Sequence, residues 1–317
     1  MPQEMRIAAA AVLTLVCLLA STVAAAQTAT PANEKQQVLW QKLEKNIVDV
    51  DRGLDGVLGV AIVDFKTGQS ISLHADQVFA TASSIKIAIV LELYRQSQAG
   101  KLALNDLYTV NSADLVPDSV IMGGLTPGVT RLTLRDLATM TMAVSDNSAT
   151  NVLIDRVGMS NVNALMDSLG LKHTRLQRKM MDLKAATEGR ENISTPSEML
   201  AMVRAVYEGK VLNPKMTEDF FQEFSIPKPD SFIPRYLPDD LRIASKHGEL
   251  EGVRNDCGVV FIPDHPYGIC VMESYLHRER DGEEAISKIS LEAWRMFDRI
   301  ARASGYGRVI SPGNSSK

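Results

Sequence analysis

Apolar residues follow two different periods along this chain, and the places where the period changes constrain its fold. Short apolar runs typical of β-strands lie near both chain ends, whereas helical spacing fills the middle. The predicted strands are residues 57–64, 70–73, 258–262 and 268–272. Lys66-Thr67-Gly68, between the first two strands, is expected to be an ordinary hairpin turn. The simplest packing joins the terminal strands in one antiparallel sheet.

The helical patterns complete the prediction of the fold. Patterns at residues 38–50 and 283–303 are expected to cover the sheet. An all-helical subdomain, at about residues 84–240, is inserted between the strands, so the predicted class is an α/β (α+β) fold. Its helical patterns are residues 84–98, 133–144, 148–157, 161–169 and 196–207. The folded domain is expected at residues 36–304, with flexible segments at 27–35 and 305–317.

The first 26 residues have the pattern of a secretory signal peptide. A short charged start ends at Arg6, an apolar run follows from Ile7 to Val23, and small residues precede Gln27. This pattern predicts cleavage between Ala26 and Gln27, and a periplasmic or secreted location. An uncleaved anchor is the lesser alternative, because the apolar run is shorter than a typical membrane span.

Charge and composition argue against several kinds of partner. The formal net charge is −4, and residues 1–26 carry only Glu4 and Arg6, so no nucleic-acid surface is expected on the mature chain. The five histidines show no H-x-H or H-E-x-x-H spacing, which argues against a zinc site. We expect no metal, no cofactor and no stable membrane anchor, and a monomer that acts on a small molecule.

Two cysteines remain after the signal peptide. Cys257 and Cys270 lie in apolar segments on either side of a turn at residues 263–266, so they could face each other across a hairpin. A disulfide is one alternative in an oxidising compartment. Two buried free thiols are the favoured expectation.

Three short polar elements occur in one order along the chain. They are Ser83-Ser84-Ile85-Lys86, Ser145-Asp146-Asn147 and Lys246-His247-Gly248. Each alone is a weak signal, since the first recurs by chance at helix starts and the second could simply cap a helix. Together they match S-x-x-K, S-D-N and K-T-G, which occur jointly in class A β-lactamases and penicillin-binding proteins. The chain resembles this superfamily of serine hydrolases over about residues 36–304.

The spacing of Ser83 and Lys86 suits nucleophilic catalysis. It places both side chains on one face of a helix at its first turn, where the Lys86 amine can approach the Ser83 hydroxyl. A serine hydroxyl needs a base to take its proton, and apolar neighbours are expected to lower the pKa of Lys86. The alternative is a helix cap beside a lysine whose amine reaches solvent.

The resemblance implies roles for further residues. Ser145 and Lys246 would relay a proton toward the leaving nitrogen, and Asn147 would bind the amide side chain of the substrate. Arg254 would hold a substrate carboxylate by a bidentate contact. The N–H groups of Ser83 and Glu249 would form the oxyanion hole.

The third element contains a departure from the family pattern. The family has Thr or Ser where His247 stands, and an imidazole can donate a hydrogen bond, clash with a substrate or titrate near neutral pH. Gly248 lets a substrate lie along the strand edge. Glu249 is an unusual residue at its position. These residues therefore leave the choice of substrate open.

A larger departure lies in residues 175–196, which resemble the omega loop of class A enzymes, with Arg178 at its start. The family pattern is R-x-E-x-x-L-N, and here Met180 replaces the glutamate that activates the deacylating water, while Lys184 replaces the asparagine. Asp182, Glu188 and Glu191 are nearby carboxylates that could substitute, although solvated surface acids are the favoured interpretation. The loop resembles class A β-lactamase-related serine hydrolases, a sister group.

Three functional hypotheses follow from these residues. The first is a class A β-lactamase-like serine hydrolase with an acyl-Ser83 intermediate, acting on a β-lactam or a related amide or ester. The second is a D-alanyl-D-alanine peptidase or esterase-like acyl-transfer enzyme. The third is a penicillin-binding sensor that is acylated once without turnover, which the missing omega-loop glutamate favours.

Overall fold

The structure is a computed structural model that describes residues 31–228, 232–304 and 306–309. Its helices are α1 (Pro31–Gly53), α2 (Lys86–Gln98), α3 (Leu134–Ala143), α4 (Asn147–Val157), α5 (Met159–Ser168), α6 (Leu183–Thr187), α7 (Pro196–Tyr207), α8 (Pro214–Phe224) and α9 (Glu279–Arg302). A short 3-10 helix, Ala82–Ile85, leads into α2. The strands are β1 (Val57–Asp64), β2 (Ser70–Leu73), β3 (Phe79–Ala80), β4 (Leu107–Thr109), β5 (Arg131–Thr133), β6 (Ile193–Ser194), β7 (Ile243–Leu250), β8 (Val253–Val260) and β9 (Tyr267–Ser274).

A five-stranded antiparallel sheet is built from both ends of the chain. The strand order is β2-β1-β9-β8-β7, so β1 from the start pairs with β9 from the end. Lys66-Thr67-Gly68 lies in the turn between β1 and β2, as the sequence predicted. The predicted fold class is confirmed. Strand β7 forms one edge of the sheet, and the third polar element lies on it.

The sheet separates two apolar cores. On one face, α1 and α9 pack against it, and the Trp40 ring meets Phe297 edge-on at 5.5 Å between ring centroids. On the other face, α2 is buried along almost its whole length, with Ile87, Leu91 and Tyr94 all fully enclosed. Because α2 runs through this second core, its first residue, Lys86, is shut off from solvent.

Caps explain where several helices begin. Thr133 and Asp136 form a reciprocal capping box at the start of α3, and Thr195 caps α7 just before Pro196. Asn213 caps α8 in the same way and Pro214 follows it, which is a typical start of a helix outside the predicted helical patterns. Helix α8 is therefore an addition to the predicted helical subdomain.

The structure corrects the expectation for the cysteines. Cys257 and Cys270 are joined by a disulfide, not present as free thiols. They are direct partners in the register between β8 and β9, which places their side chains on the same face of the sheet. Both cysteines are fully buried, so burial was compatible with either form.

The structure describes part of each chain end. Helix α1 begins at Pro31, so residues 31–35 of the segment expected to be flexible are helical. At the other end, Val309 in the expected tail forms an isolated antiparallel bridge with Ala303 in the folded domain. The predicted signal peptide, residues 1–26, lies outside the described residues. Across the described ranges, no helix combines the length and apolar character needed to cross a membrane.

Candidate active site

Ser83 lies in the 3-10 helix that precedes α2. It is half-buried and lines the wall of a cleft. Ala82 before it has a φ of 47°, a left-handed conformation that is uncommon for a residue with a side chain. Thr81 holds the approach to this turn, since its Oγ1 donates to Asn192 O at 3.0 Å. The turn thus exposes Ser83 while the residues on both sides stay buried.

Lys86 links the first and second polar elements. Its Nζ donates to Ser145 O at 2.7 Å, Ser145 Oγ at 3.0 Å and Asn147 Oδ1 at 2.8 Å. Within the described residues, Lys86 has no hydrogen bond to Ser83. Burial, and next the Lys246 ammonium, hold the pKa of Lys86 well below its usual range. A lysine in this state is suited to accept a proton.

Ser145 occupies a strained turn between α3 and α4. Its φ of 58° lies in the left-handed region. Asp146 fixes the turn: its carboxylate is fully buried, caps α4 at Ala149 N and accepts from the N–H groups of Ile121 and Met122. This arrangement agrees with a structural role for Asp146 and directs Ser145 and Asn147 into the cleft.

Gly248 lets β7 contact the 3-10 helix that contains Ser83. A Cβ on Gly248 would lie 2.6 Å from Thr81 O and 2.8 Å from Ser83 N, closer than a real Cβ approaches another atom. Only glycine allows this contact. The backbone of Glu249, the next residue, therefore lies near that of Ser83. The N–H groups of these two residues are the ones expected to form the oxyanion hole.

Lys246 is fully buried and immediately precedes His247, which lines the cleft. Its Nζ donates to His247 O at 2.9 Å. Burial is the main cause that lowers the pKa of Lys246 to about 7, and the charge of Lys228 adds to it. Lys228 is itself buried and donates to the carbonyls of Phe224 and Ile226.

His247 differs from its sequence-based expectation. Burial, followed by the charges of Lys246 and Lys228, lowers the pKa of His247 to about 2, so the ring is neutral at physiological pH and does not titrate there. The ring centroid lies 5.7 Å from that of Phe232, and Nδ1 is buried with no hydrogen-bond partner among the described residues.

Arg254 is held by the protein itself. Its NH1 donates to Leu250 O at 3.0 Å and Val253 O at 2.9 Å, and its Nε lies 3.4 Å from a Glu283 carboxylate oxygen. Glu249 approaches the same Nε at 3.7 Å. Binding of a substrate carboxylate by Arg254 therefore remains a prediction from the resemblance.

The omega-loop carboxylates have structural partners. Glu191 accepts from Arg178 through both carboxylate oxygens, at 2.9 and 3.1 Å. Asp182 caps α6 by accepting from Ala185 N. Asn151 holds the Met180 backbone, since its Oδ1 accepts from Met180 N and its Nδ2 donates to Met180 O. Met180 itself lines the cleft.

The cleft has a volume of about 810 Å³. The described residues that line it are Ala82, Ser83, Asp118, Val120, Val144, Ser145, Asn147, Arg178, Met180, Met181, Leu183, Asn192, Phe232, Arg235, His247, Glu249, Leu250 and Glu283. Lys86, Lys246 and Gly248 are buried against this wall, whereas Arg254, Asp182 and Glu191 are not among the described lining residues. In the described part of the chain, no cluster of three or more His, Cys, Asp or Glu could hold a metal ion.

Asp118, Phe232, Arg235 and Glu283 are among the lining residues that were not predicted from the sequence. None of them lies in a recognisable motif, and they come from separate loops and from α9. Asp118 is exposed, and its carboxylate is close enough to Lys86 to oppose the fall in the pKa of that lysine. Only the folded chain brings these side chains to the cleft.

The family model and the sequence relatives that match this chain all belong to one family. The model of the beta-lactamase enzyme family matches residues 42–297. The β-lactamase OXY-2 of Klebsiella oxytoca is 28% identical over 235 residues, which cover 72% of this chain and 80% of that protein. The β-lactamase SME-1 of Serratia marcescens is 26% identical over 259 residues, 80% of this chain and 86% of that protein.

Solved structures agree with the sequence relatives. The crystal structure of a β-lactamase from Sphaerobacter thermophilus superimposes with a TM-score of 0.75 and 32% identity, covering 82% of this chain and 98% of that one. A leucine-to-glutamate mutant of PBP-A, solved as an acyl-enzyme complex with penicillin G, shares the fold with a TM-score of 0.73 at 23% identity, over 83% of this chain and 97% of that one. The chain therefore belongs to the beta-lactamase enzyme family and is a class A β-lactamase-like serine hydrolase.

Proposed function

We propose that Ser83 is the nucleophile of this hydrolase and is acylated by β-lactams or by related amides and esters. The observation that carries the proposal is the Lys86 network. A fully buried lysine with a lowered pKa holds Ser145 and Asn147 at the wall of the cleft that contains Ser83. The names of the relatives support β-lactams as the first substrates to test.

In the proposed acylation, Ser83 Oγ bonds to the carbonyl carbon and the scissile C–N or C–O bond breaks. Lys86 takes the Ser83 proton, and Ser145 passes a proton to the leaving atom, with Lys246 nearby to support this relay. The N–H groups of Ser83 and Glu249 stabilise the negative charge on the carbonyl oxygen. Asn147 positions the acyl side of the substrate.

Hydrolysis then requires that water attack the ester bond to Ser83, release the acid and restore the hydroxyl. Met180 stands where the family has a glutamate to activate this water, while Asp182 and Glu191 are engaged as a helix cap and in an ion pair. Loss of a positioned base costs about 10² to 10⁴ in rate. We therefore propose that deacylation is slow and that the acyl-enzyme accumulates.

The proposed location is the periplasm or the exterior of the cell, after cleavage between Ala26 and Gln27. The support for this is the residue pattern of the first 26 positions. N-terminal sequencing of the protein from cell fractions tests the proposal. An intact N-terminus in the cytoplasmic fraction would contradict it.

The function is tested by incubating the mature protein and a Ser83→Ala variant with a penicillin and with a chromogenic cephalosporin. Intact mass and product release are followed together. A mass increase that depends on Ser83 and decays slowly, with product released at the same slow rate, is the expected result. Rapid turnover would show that another group activates the water, and the absence of any adduct would contradict acylation by these substrates.

A further inference from the structure

Four charged side chains alternate at the end of the cleft beside His247. Glu249 lies 3.7 Å from Arg254, Arg254 lies 3.4 Å from Glu283, and Glu283 lies 3.3 Å from Arg235. Each arginine in this chain of ion pairs faces at least one carboxylate. The positive charge at this end of the cleft is therefore largely matched before any substrate arrives.

Arg254 lies behind its carboxylate partners when viewed from the cleft. Its side chain is 12% exposed, against 42% for Glu249, and Glu249 and Glu283 line the cleft while Arg254 is absent from the described lining residues. The carbonyls of Leu250 and Val253 occupy one of its terminal nitrogens. An anionic group that approached Arg254 would first meet the Glu249 carboxylate.

His247 does not provide a replacement cation. Its ring is neutral at physiological pH, because burial and the nearby lysines lower the pKa of His247. The Glu249 carboxylate lies 3.5 Å from Nε2 of the ring. The group nearest to Ser83 that carries charge into the open cleft on this strand is thus the Glu249 side chain.

We propose that Glu249 is a specificity-determining residue that favours acyl donors without a carboxylate next to the scissile bond over donors that carry one. The proposal rests on the proposed acylation of Ser83. Glu249 follows Gly248, which packs against the Ser83 backbone, and the side chains of Glu249 and Ser83 line the same cleft. A substrate carboxylate held in the same partly enclosed cleft as Glu249 would be repelled strongly enough to change rates by at least about tenfold.

The test uses two esters that differ in one group. Both carry a phenylacetylglycyl acyl group, one on 3-hydroxybenzoic acid and the other on 3-hydroxybenzamide. In each reaction Ser83 Oγ bonds to the ester carbonyl carbon, the C–O bond to the phenol breaks, and the proton from Ser83 leaves with the phenol. The rate of phenol release in the first turnover, together with intact mass, gives the acylation rate.

The wild-type protein is expected to react at least about tenfold faster with the amide-bearing ester than with the carboxylate-bearing ester. Glu249→Gln should reduce this ratio to within about threefold of one, and it should also speed acylation by penicillin G. Glu249→Ser serves as a second variant if the first fails to fold. Glu251→Gln, which removes an exposed carboxylate in the β7–β8 turn outside the cleft, should keep the wild-type ratio.

The outcomes separate the two proposals. Equal acylation rates with both esters in the wild type, or a ratio that both Glu249 variants leave unchanged, would overturn the specificity proposal while leaving acylation of Ser83 in place. A wild-type protein that forms no Ser83-dependent adduct with either ester or with penicillin G would overturn the proposed function first. Faster reaction of the carboxylate-bearing ester would contradict the specificity proposal directly.

Discussion

Gly248 touches the backbone of Ser83 so closely that a methyl group on it would lie 2.8 Å from the Ser83 nitrogen. The other atoms that such a group would meet, Thr81 O at 2.6 Å and Ser84 N at 2.9 Å, are also backbone atoms. None of them can rotate away as a side chain could. Strand β7 and the 3-10 helix that contains Ser83 can therefore pack this closely only because residue 248 has no side chain.

We expect Gly248→Ala to separate β7 from this helix and to lower the rate of Ser83 acylation by about 100-fold or more, because the oxyanion N–H groups lose their geometry. Overpacking should also reduce the free energy of unfolding by about 1–3 kcal/mol. Gly53→Ala is the matched control, since a Cβ there meets nothing within 4 Å. Unchanged acylation in Gly248→Ala, measured by intact mass, would contradict the assigned contact.

Met180→Glu tests why the acyl-enzyme is expected to persist. Met180 lines the cleft, and Asn151 fixes its backbone, so a glutamate there would place a carboxylate in the cleft on a held backbone. We expect the acyl-Ser83 adduct to be hydrolysed about 10²-fold faster or more than in the wild type. Met180→Gln has the same shape without a base and should keep the slow rate. Equal adduct lifetimes in the two variants would exclude a missing base as the cause.

Glu191→Gln distinguishes a structural from a catalytic carboxylate. Glu191 contacts Arg178, whose side chain is only 7% exposed, at 2.8 Å. We expect the substitution to reduce the free energy of unfolding by about 1.5–3 kcal/mol, because it weakens a charged hydrogen bond to a nearly buried guanidinium. Glu188→Gln, in an exposed ion pair with Arg190, should have almost no effect. If Glu191→Gln abolished deacylation without changing the free energy of unfolding, Glu191 would instead be the base.

The periodicity of the apolar residues was enough to predict the fold class, and the order of the three polar elements selected residues that the structure brings together. Ser83, Ser145, Asn147 and His247 all line one cleft, although they are far apart in sequence. Such motifs are informative because helix starts, tight turns and strand edges are local structures. The left-handed φ of Ser145, in contrast, depends on Asp146 and the loop that it holds, and no sequence pattern indicated it.

Residues whose role depends on distant partners could not be predicted. Glu283 lies on the closing helix and reaches Arg254 on β8, while Asp118 lies in a loop without a motif. The state of the cysteines was also undetermined, since buried thiols and a disulfide both fit two apolar strands. The register between β8 and β9 places the two cysteines opposite each other and allows the bond. Sequence periodicity does not determine this register, because a strand can slip along its partner.

The disulfide gives a direct chemical prediction. Cys257 and Cys270 are the only cysteines that follow the predicted signal peptide, so thiol titration of the unfolded mature chain should detect no free thiol. Replacing both with Ala should lower the free energy of unfolding by about 2–4 kcal/mol. Two thiols per mature chain without reductant would contradict the bond. The paired substitution avoids leaving one reactive thiol in the core.

Lys246 lies directly opposite Cys257 in the register of β7 and β8, so its ammonium extends over the buried disulfide side of the sheet. The pKa of Lys246 is lowered from an ordinary 10.5 to about 7, mainly by burial. Between these two values the unfolded chain binds more protons than the folded chain, so stability should rise with pH across this window. Below pH 7 the cost of burying the charge is fully present.

We therefore expect Lys246→Met to be more stable than the wild type by about 1–4 kcal/mol at pH 6, because it removes a charge whose burial outweighs the opposing effect of the Asp256 and Glu249 carboxylates. The gain should shrink as the pH rises from 7 toward 10, where the wild-type lysine is already neutral in the folded state. The same variant should acylate Ser83 more slowly, since it loses the proposed relay and the charge that helps to lower the pKa of Lys86. Urea unfolding at pH 6, 7.5 and 9 measures this dependence, with Lys42→Met on the exposed face of α1 as a control that should show no such trend. A stability difference that is constant with pH would show that Lys246 keeps an ordinary pKa and that its burial is compensated by the protein.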